Sequence, residues 1–214
     1  MNTLKATETA VSATAWSEME QTMREELTRI SHLAYNRGLV GGSGGNVSVR
    51  IPGTDEVLVT ATGISLGDIT PQNIVKVNLH GELCDPASFY RPSKETGFHC
   101  LVFRQREDVG GIVHVHPPYA TAFSCLNKPL PLVTISARTN LKEVPCIEVA
   151  PMGSAELREY VGDAIKAYPG IKAILMRDHG ILAQGKDLVQ AFNIADLVEY
   201  TAKIAYAYLT LRQE

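Results

Sequence analysis

The sequence predicts an α+β domain in three layers, a largely antiparallel central sheet with helices on both faces. Three observations carry that expectation. Short apolar runs, such as residues 47–51 and 56–60, alternate in polarity and are joined by turn residues, the mark of hairpins. Longer stretches near residues 19–34, 157–165 and 188–209 repeat apolar side chains at helical spacing. Hairpins and helices also follow one another without the regular βαβ alternation of a parallel sheet. The chain has 214 residues, 45% hydrophobic and 20% charged, enough for one core. We expect a single domain over residues 17–214, behind a small-residue, unpatterned and flexible tail over residues 1–16.

The elements are expected in this order. Ser17-Glu-Met-Glu20 has the form of a capping box, and Met19, Met23, Leu27, Ile30 and Ala34 form the inward stripe of the first helix, with Gly38 at its exit. A glycine-rich loop, Gly41-Gly-Ser-Gly-Gly-Asn46, feeds the first hairpin, which turns at Pro52-Gly-Thr-Asp55. Residues 74–79 and 82–83 read as another hairpin, turning at His80-Gly81. A helix spans about residues 96–106, and Gly111-Ile-Val-His-Val115 is a buried strand that Pro117-Pro118 ends. A short helix follows over residues 119–126, then a mixed, partly extended segment over 130–138 and a short strand over 145–149. Ser154 caps a helix to about Tyr168, with Leu157, Val161, Ala164 and Ile165 inward. Strands over 173–176 and 181–183 flank Asp178-His179-Gly180. The last helix starts at Asp187 and turns Leu188, Ala191, Phe192, Ala195, Val198, Ala202, Ala205 and Leu209 to one side.

Composition excludes several function classes. A net charge of −3 with no basic block argues against nucleic acid and anionic membrane as partners. No apolar run has the length of a membrane span, and the N-terminus lacks the pattern of a signal peptide. Cys84, Cys100, Cys125 and Cys146 are scattered, without a C-x-x-C pair, as expected of reduced thiols in a cytoplasmic protein.

The chemistry concentrates at strand ends. His114 and His116 are two apart on a strand and so point to the same face. Hydrogen bonds alone can satisfy such a pair, but His179, after the apolar run 173–176, supplies a third imidazole in a similar setting. Three histidines with an open position suit catalytic Zn2+; Mn2+ or Co2+ are also compatible with imidazole. A metal that holds a ketone oxygen and a neighbouring hydroxyl stabilises an enediolate, and such chemistry needs a base. Glu95, in the first turn of its helix, is the candidate base, although a carboxylate there also suits the helix dipole. Three loops rich in glycine and hydroxyls, at Gly45-Asn46, Thr62-Gly63 and Ser93-Lys94, look like a phosphate cradle.

Five motifs, in order and spacing, resemble those of the class II aldolase/adducin-type family: Gly45-Asn46-Val47-Ser48, Thr60-Ala61-Thr62-Gly63, Pro92-Ser93-Lys94-Glu95, His114-Val115-His116-Pro117 and Asp178-His179-Gly180. The resemblance runs from about Glu18 to the C-terminus. It implies a three-layer sandwich, usually a homotetramer with active sites between subunits. It implies His114, His116 and His179 as zinc ligands, Glu95 as acid/base, and Asn46, Thr62, Gly63 and Ser93 at a substrate phosphate. The implied activity is aldol cleavage of a small phosphorylated ketose to dihydroxyacetone phosphate and an aldehyde, through a zinc-stabilised enediolate. Two departures set an alternative. Lys94 stands where fuculose-phosphate-type aldolases usually carry a second serine, and Pro-Ser-Lys also occurs in the family's 3-oxo-tetronate 4-phosphate decarboxylases. By ungapped count Ile135 stands where those aldolases carry a proton-donating tyrosine, leaving Tyr119 or Arg138 as substitutes. Decarboxylation of a 3-oxo sugar acid phosphate on the same site is therefore the second expectation. The epimerases of the family differ in having Ser-Ser-Asp where this chain has Ser93-Lys94-Glu95. A purely binding role, as in adducin, needs neither three ligating histidines nor Glu95.

Overall fold

The structure is a computed structural model and describes residues 16–212. Residues 1–15, where most of the tail is expected, lie outside the described residues, while Trp16 lies 4.1 Å beneath the Arg24 guanidinium. The elements are α1 (Glu18–Asn36), β1 (Asn46–Arg50), β2 (Glu56–Thr60), β3 (Ile74–Asn78), α2 (Thr96–Gln105), β4 (Gly111–Val115), α3 (Pro118–Ser124), α4 (Ile135–Leu141), β5 (Cys146–Ile147), α5 (Ala155–Ala167), β6 (Ala173–Met176), β7 (Gly180–Gly185) and α6 (Leu188–Leu211). Seven strands form one sheet in the order β3-β2-β1-β4-β7-β6-β5. Every pairing is antiparallel except β5 with β6. The expected α+β, mostly antiparallel three-layer sandwich is the fold found.

Strand alternation divides the core between the two faces. On β4, Val113 and Val115 join Leu27, Ile30, Phe192 and Val198 in a core between the sheet and α1 and α6. Ile112 faces the opposite way, into a core with Phe98, Phe103, Leu157 and Val161 of α2 and α5. His114 shares the Ile112 face, so the strand aims it at the start of α2.

The inward stripe of α1 differs from expectation at its first turns. Met19 is 54% exposed, whereas Glu20 and Arg24 are buried. The Glu20 side chain does not complete a capping box; Ser17 Oγ accepts from Glu20 N, but Glu20 pairs with Arg24 and Lys76 at 2.7 and 3.1 Å. Arg24 also donates to the carbonyls of Pro71 and Ile74, so its burial is compensated at every side. Burial nonetheless lowers the Arg24 pKa, against the opposing pull of Glu20.

Three further expectations are corrected. Residues 135–141 form helix α4, capped by Thr134 Oγ1, and Arg138 bends back to donate to the carbonyls of Leu132 and Val133. At the end of α6, Leu209 is 39% exposed, because the helix runs past the body that buries Ala202 and Ala205. The second expected hairpin is reduced to one bridge, Val77 to Leu83, beside β3.

The buried Glu20–Arg24 pair yields the first prediction. Removing one partner leaves a desolvated charge, so Glu20→Ala should cost about 3–5 kcal/mol in urea unfolding. The double change Glu20→Leu with Arg24→Met should recover most of that loss.

Candidate metal centre and its carboxylate

The ends of β1, β2, β4 and the β6–β7 turn lie together at one end of the sheet. Asn46 pairs with His114 across β1 and β4, and the Thr60 hydroxyl of β2 accepts from Val47 N. His179 sits in the tight β6–β7 turn, where its N–H bonds to Met176 O at 3.1 Å and Asp178 adopts φ +56°. Aspartate tolerates that left-handed conformation better than most residues. Two glycines let these pieces close. Gly45 has φ +71°, and a Cβ on it would lie 2.8 Å from His114 O. A Cβ on Gly180 would lie 2.5 Å from Val115 O and 2.7 Å from the His116 ring. Gly45 thus serves backbone shape.

His114, His116 and His179 are brought together as the sequence suggested, with ligand nitrogens all within 4.8 Å of one another. His114 Nδ1 donates to Ile181 O at 2.9 Å. A carbonyl only accepts, so this bond fixes the ring and turns Nε2 to the centre. There Nε2 lies 3.1 Å from His116 Nε2 and 3.1 Å from Glu95 Oε2. His179 Nε2 lies 3.3 Å from Glu95 Oε1, yet neither atom has a hydrogen-bond partner among the described residues. Nitrogens and carboxylate oxygens converging this closely require positive charge between them, either a proton or a shared cation. The donor set therefore fits a divalent ion: three imidazoles, a buried carboxylate beside them, and orphaned polar atoms aimed inward.

Electrostatics support the same description. Burial lowers His116 to about 3 and His179 to about 4, so both are neutral at neutral pH and ready to donate a lone pair. Burial by itself would raise the Glu95 carboxyl, but attraction to His114 and His179 and the bonds from His114 and Asn46 hold it well below the usual carboxylate range.

The remaining predicted residues divide into two groups. Thr62 and Gly63 are exposed, and a bridge between Ala61 and Pro92 sets their loop beside Ser93. Lys94 is exposed next to it and makes no ion pair among the described residues. Ser93 Oγ accepts from Glu95 N at 3.3 Å, which ties this rim to the carboxylate. Asn46 does not join that rim: it is 3% exposed and its amide is spent inward, on Glu95 and on His99. Tyr119 packs on Tyr206 at 5.5 Å and Ile135 is 77% exposed at the start of α4.

The sequence reading passed over His99, which the structure places fully buried between Ser48 and Asn46. One signal was present: Glu95 and His99 are four apart at the start of a helix, and so share a face.

Comparison with known proteins follows the same line. The family model described as Class II Aldolase and Adducin N-terminal domain matches residues 25–206. The chain belongs to the class II aldolase and adducin family. An L-fuculose phosphate aldolase of Methanococcus maripaludis is 34% identical over 187 residues, covering 87% of this chain and 98% of the relative. A 3-oxo-tetronate 4-phosphate decarboxylase of Escherichia coli is 32% identical, covering 89% of each. Among solved structures, an L-fuculose 1-phosphate aldolase superposes with a TM-score of 0.80 at 32% identity, covering 90% of this chain and 88% of that one. Class II aldolase relatives that share the sheet but bear the names of different reactions leave the reaction to be read from the site itself.

The depressed imidazoles make acid stability a test of burial. An unfolded histidine titrates near 6.5, whereas His99 is lowered to about 3 by its burial. As pH falls through about 6.5 toward 3 the unfolded chain takes up protons that the native site refuses, so native stability declines. In chelator-treated protein, His99→Gln should flatten that decline by about 1.4 kcal/mol per pH unit between roughly pH 5.5 and 4, read from urea unfolding.

Proposed function

We propose that the protein is a divalent-metal-dependent carbon–carbon lyase that cleaves a small phosphorylated ketose to dihydroxyacetone phosphate and an aldehyde. The observation that carries this is the juxtaposition of three convergent histidines with the buried Glu95 carboxylate, 3.1 and 3.3 Å from two of them. His114, His116 and His179 would hold the ion, zinc first and manganese or cobalt as alternatives. An ion bound there supplies Lewis acidity to a carbonyl oxygen and its neighbouring hydroxyl.

The chain's own residues would then do the following. The exposed Thr62 and Gly63, the half-buried Ser93 hydroxyl and the Lys94 ammonium hold the phosphate at the rim. That places the substrate's carbonyl end over the buried carboxylate. In cleavage, the carbinol hydroxyl gives its proton to the ionised Glu95 carboxylate and its oxygen becomes the aldehyde oxygen, while the bond between the carbinol carbon and the carbon beside the carbonyl breaks and its electron pair stays on the carbon beside the carbonyl. Glu95 delivers a proton to that carbon; in the reverse direction it removes the same proton. Its burial against Asn46 keeps water from competing for the carboxylate. Reduced cysteines at Cys84, Cys100, Cys125 and Cys146 support a cytoplasmic setting. No helix among the described residues is long and apolar enough to cross a membrane. A homotetramer with sites between subunits is the assembly that the family resemblance supports.

A second reading has specific support. Lys94 is an exposed cation at the rim, Ile135 offers no proton donor, and a decarboxylase is among the relatives at 32% identity. Decarboxylation of a 3-oxo sugar acid phosphate would use the same centre, with Lys94 placed to hold an anionic group.

Two variants and one assay test the proposal. His114→Ala should lose bound metal and turnover together. Glu95→Gln should keep metal by elemental analysis and lose about 10²- to 10⁴-fold in rate. In D2O, the metal-replete protein should exchange one hydroxymethyl proton of dihydroxyacetone phosphate, seen by NMR, and a chelator should stop it. Metal-loaded protein that exchanges nothing but releases carbon dioxide from a 3-oxo acid phosphate would replace the first reading with the second.

A further inference from the structure

We infer that His99 is a positioning residue for Glu95, acting through Asn46 to decide which carboxylate oxygen is left free to move a proton. The inference rests on the reading of Glu95 as the proton-transfer group.

Hydrogen-bond chemistry permits only one direction through this chain of groups. An ionised carboxylate only accepts, so Asn46 must present its Nδ2–H to Glu95 Oε2, at 2.9 Å. The amide oxygen of Asn46 then faces His99 Nε2 at 2.5 Å. That oxygen also only accepts, so His99 must carry its proton on Nε2. Its Nδ1 is left bare and takes a hydrogen bond from the Ser48 hydroxyl at 2.6 Å. Ser48 donates to His99, His99 to Asn46, and Asn46 to Glu95, without a break.

The surroundings exclude bulk water as a substitute donor. Ser48 and His99 are 0% exposed, Asn46 3% and Glu95 6%. The His99 ring is stacked on Phe98 with centroids 4.8 Å apart and planes 20° from parallel. The consequence appears at the far end. Oε2 of Glu95 is anchored by Asn46 and lies against His114, while Oε1, 3.3 Å from His179 Nε2, has no hydrogen-bond partner among the described residues. Were Asn46 to turn its oxygen to Glu95, two acceptors would meet where a bond now lies, and the carboxylate would rotate away. A histidine that merely fills the core has to be satisfied, but its proton need not be on a particular nitrogen. Here the position of one proton sets the orientation of Asn46 and, through it, of Glu95.

Two measurements test the proposal. The first uses unaltered, chelator-treated protein labelled with ¹⁵N and reads the His99 tautomer by long-range proton–nitrogen NMR. Nε2–H with bare Nδ1 is expected; Nδ1–H or an imidazolium at neutral pH would overturn the inference. The second follows proton exchange of dihydroxyacetone phosphate in D2O by metal-replete His99→Phe and His99→Gln. Phenylalanine fills the space and keeps the stacking but has no donor. Glutamine has an oxygen for Ser48 and an N–H for Asn46. The phenylalanine variant should lose about 10- to 100-fold in the saturated rate, with unchanged metal content. Its half-saturating concentration should stay within about twofold, since substrate binding is not touched. The glutamine variant should recover most of the rate. Wild-type rate in His99→Phe, or equal loss in both variants, would reduce His99 to a structural role. If wild-type protein does not exchange, or Glu95→Gln exchanges as well as wild type, the underlying reading of Glu95 fails, and that is seen before any His99 variant is compared. The NMR measurement needs no variant and stands even if the phenylalanine protein does not fold.

Discussion

The hydrogen bond from His114 Nδ1 to the carbonyl of Ile181 is the contact on which the site depends. It exists because β4 lies in the middle of the sheet, held antiparallel by β1 on one side and β7 on the other. In that register His114 stands opposite Leu182 and Asn46, and its ring reaches the next backbone carbonyl along β7. A slip of one residue would send His114 to the α1 and α6 face and bring Val113 or Val115 to the site. The apolar alternation of β4 makes that slip costly, because valines and isoleucine would change cores. Side-chain packing thereby fixes the position of a polar centre that contributes little packing of its own.

From that fixed strand the site divides into an inner and an outer part. The inner part is closely bonded: His114, Glu95, Asn46, His99 and Ser48 are buried, and His116 and His179 are partly exposed at its edge. The outer part is the exposed rim of Thr62, Gly63 and Lys94, with Ser93 joining the two through Glu95 N. On the proposed function, the chemistry falls to the inner part, where low solvent access makes each electrostatic contact count. On the proposed function, substrate choice falls to the rim, where Thr62, Gly63 and Lys94 are exposed. That division accounts for relatives of comparable identity that carry the names of an aldolase and a decarboxylase.

The centre was legible in the sequence wherever its geometry follows from local periodicity. His114 and His116 share a face because strand side chains alternate, and His179 follows a buried apolar run. What stayed hidden depends on long-range pairing. His99 lies in an amphipathic helix and meets Ser48 and Asn46 from 51 and 53 residues away. Asn46 looked like part of a glycine-rich anion loop, yet it is the first residue of β1 and points inward. On α1, a methionine at helical spacing suggested core, but Glu20 and Arg24 take the inner positions because Lys76 and the carbonyls of Pro71 and Ile74 wait there to satisfy them. The segment before β5 carries β-branched residues and looked extended; Thr134 caps it into a helix.

The central claim is that these three histidines together form a metal centre, and X-ray absorption of zinc-loaded protein tests it most directly. The account predicts one tightly held ion per chain, with imidazole scattering from three nitrogens at about 2.0–2.1 Å and oxygen completing the shell. A sulfur shell at about 2.3 Å, from any of the four cysteines, or an ion lost on simple desalting would contradict it.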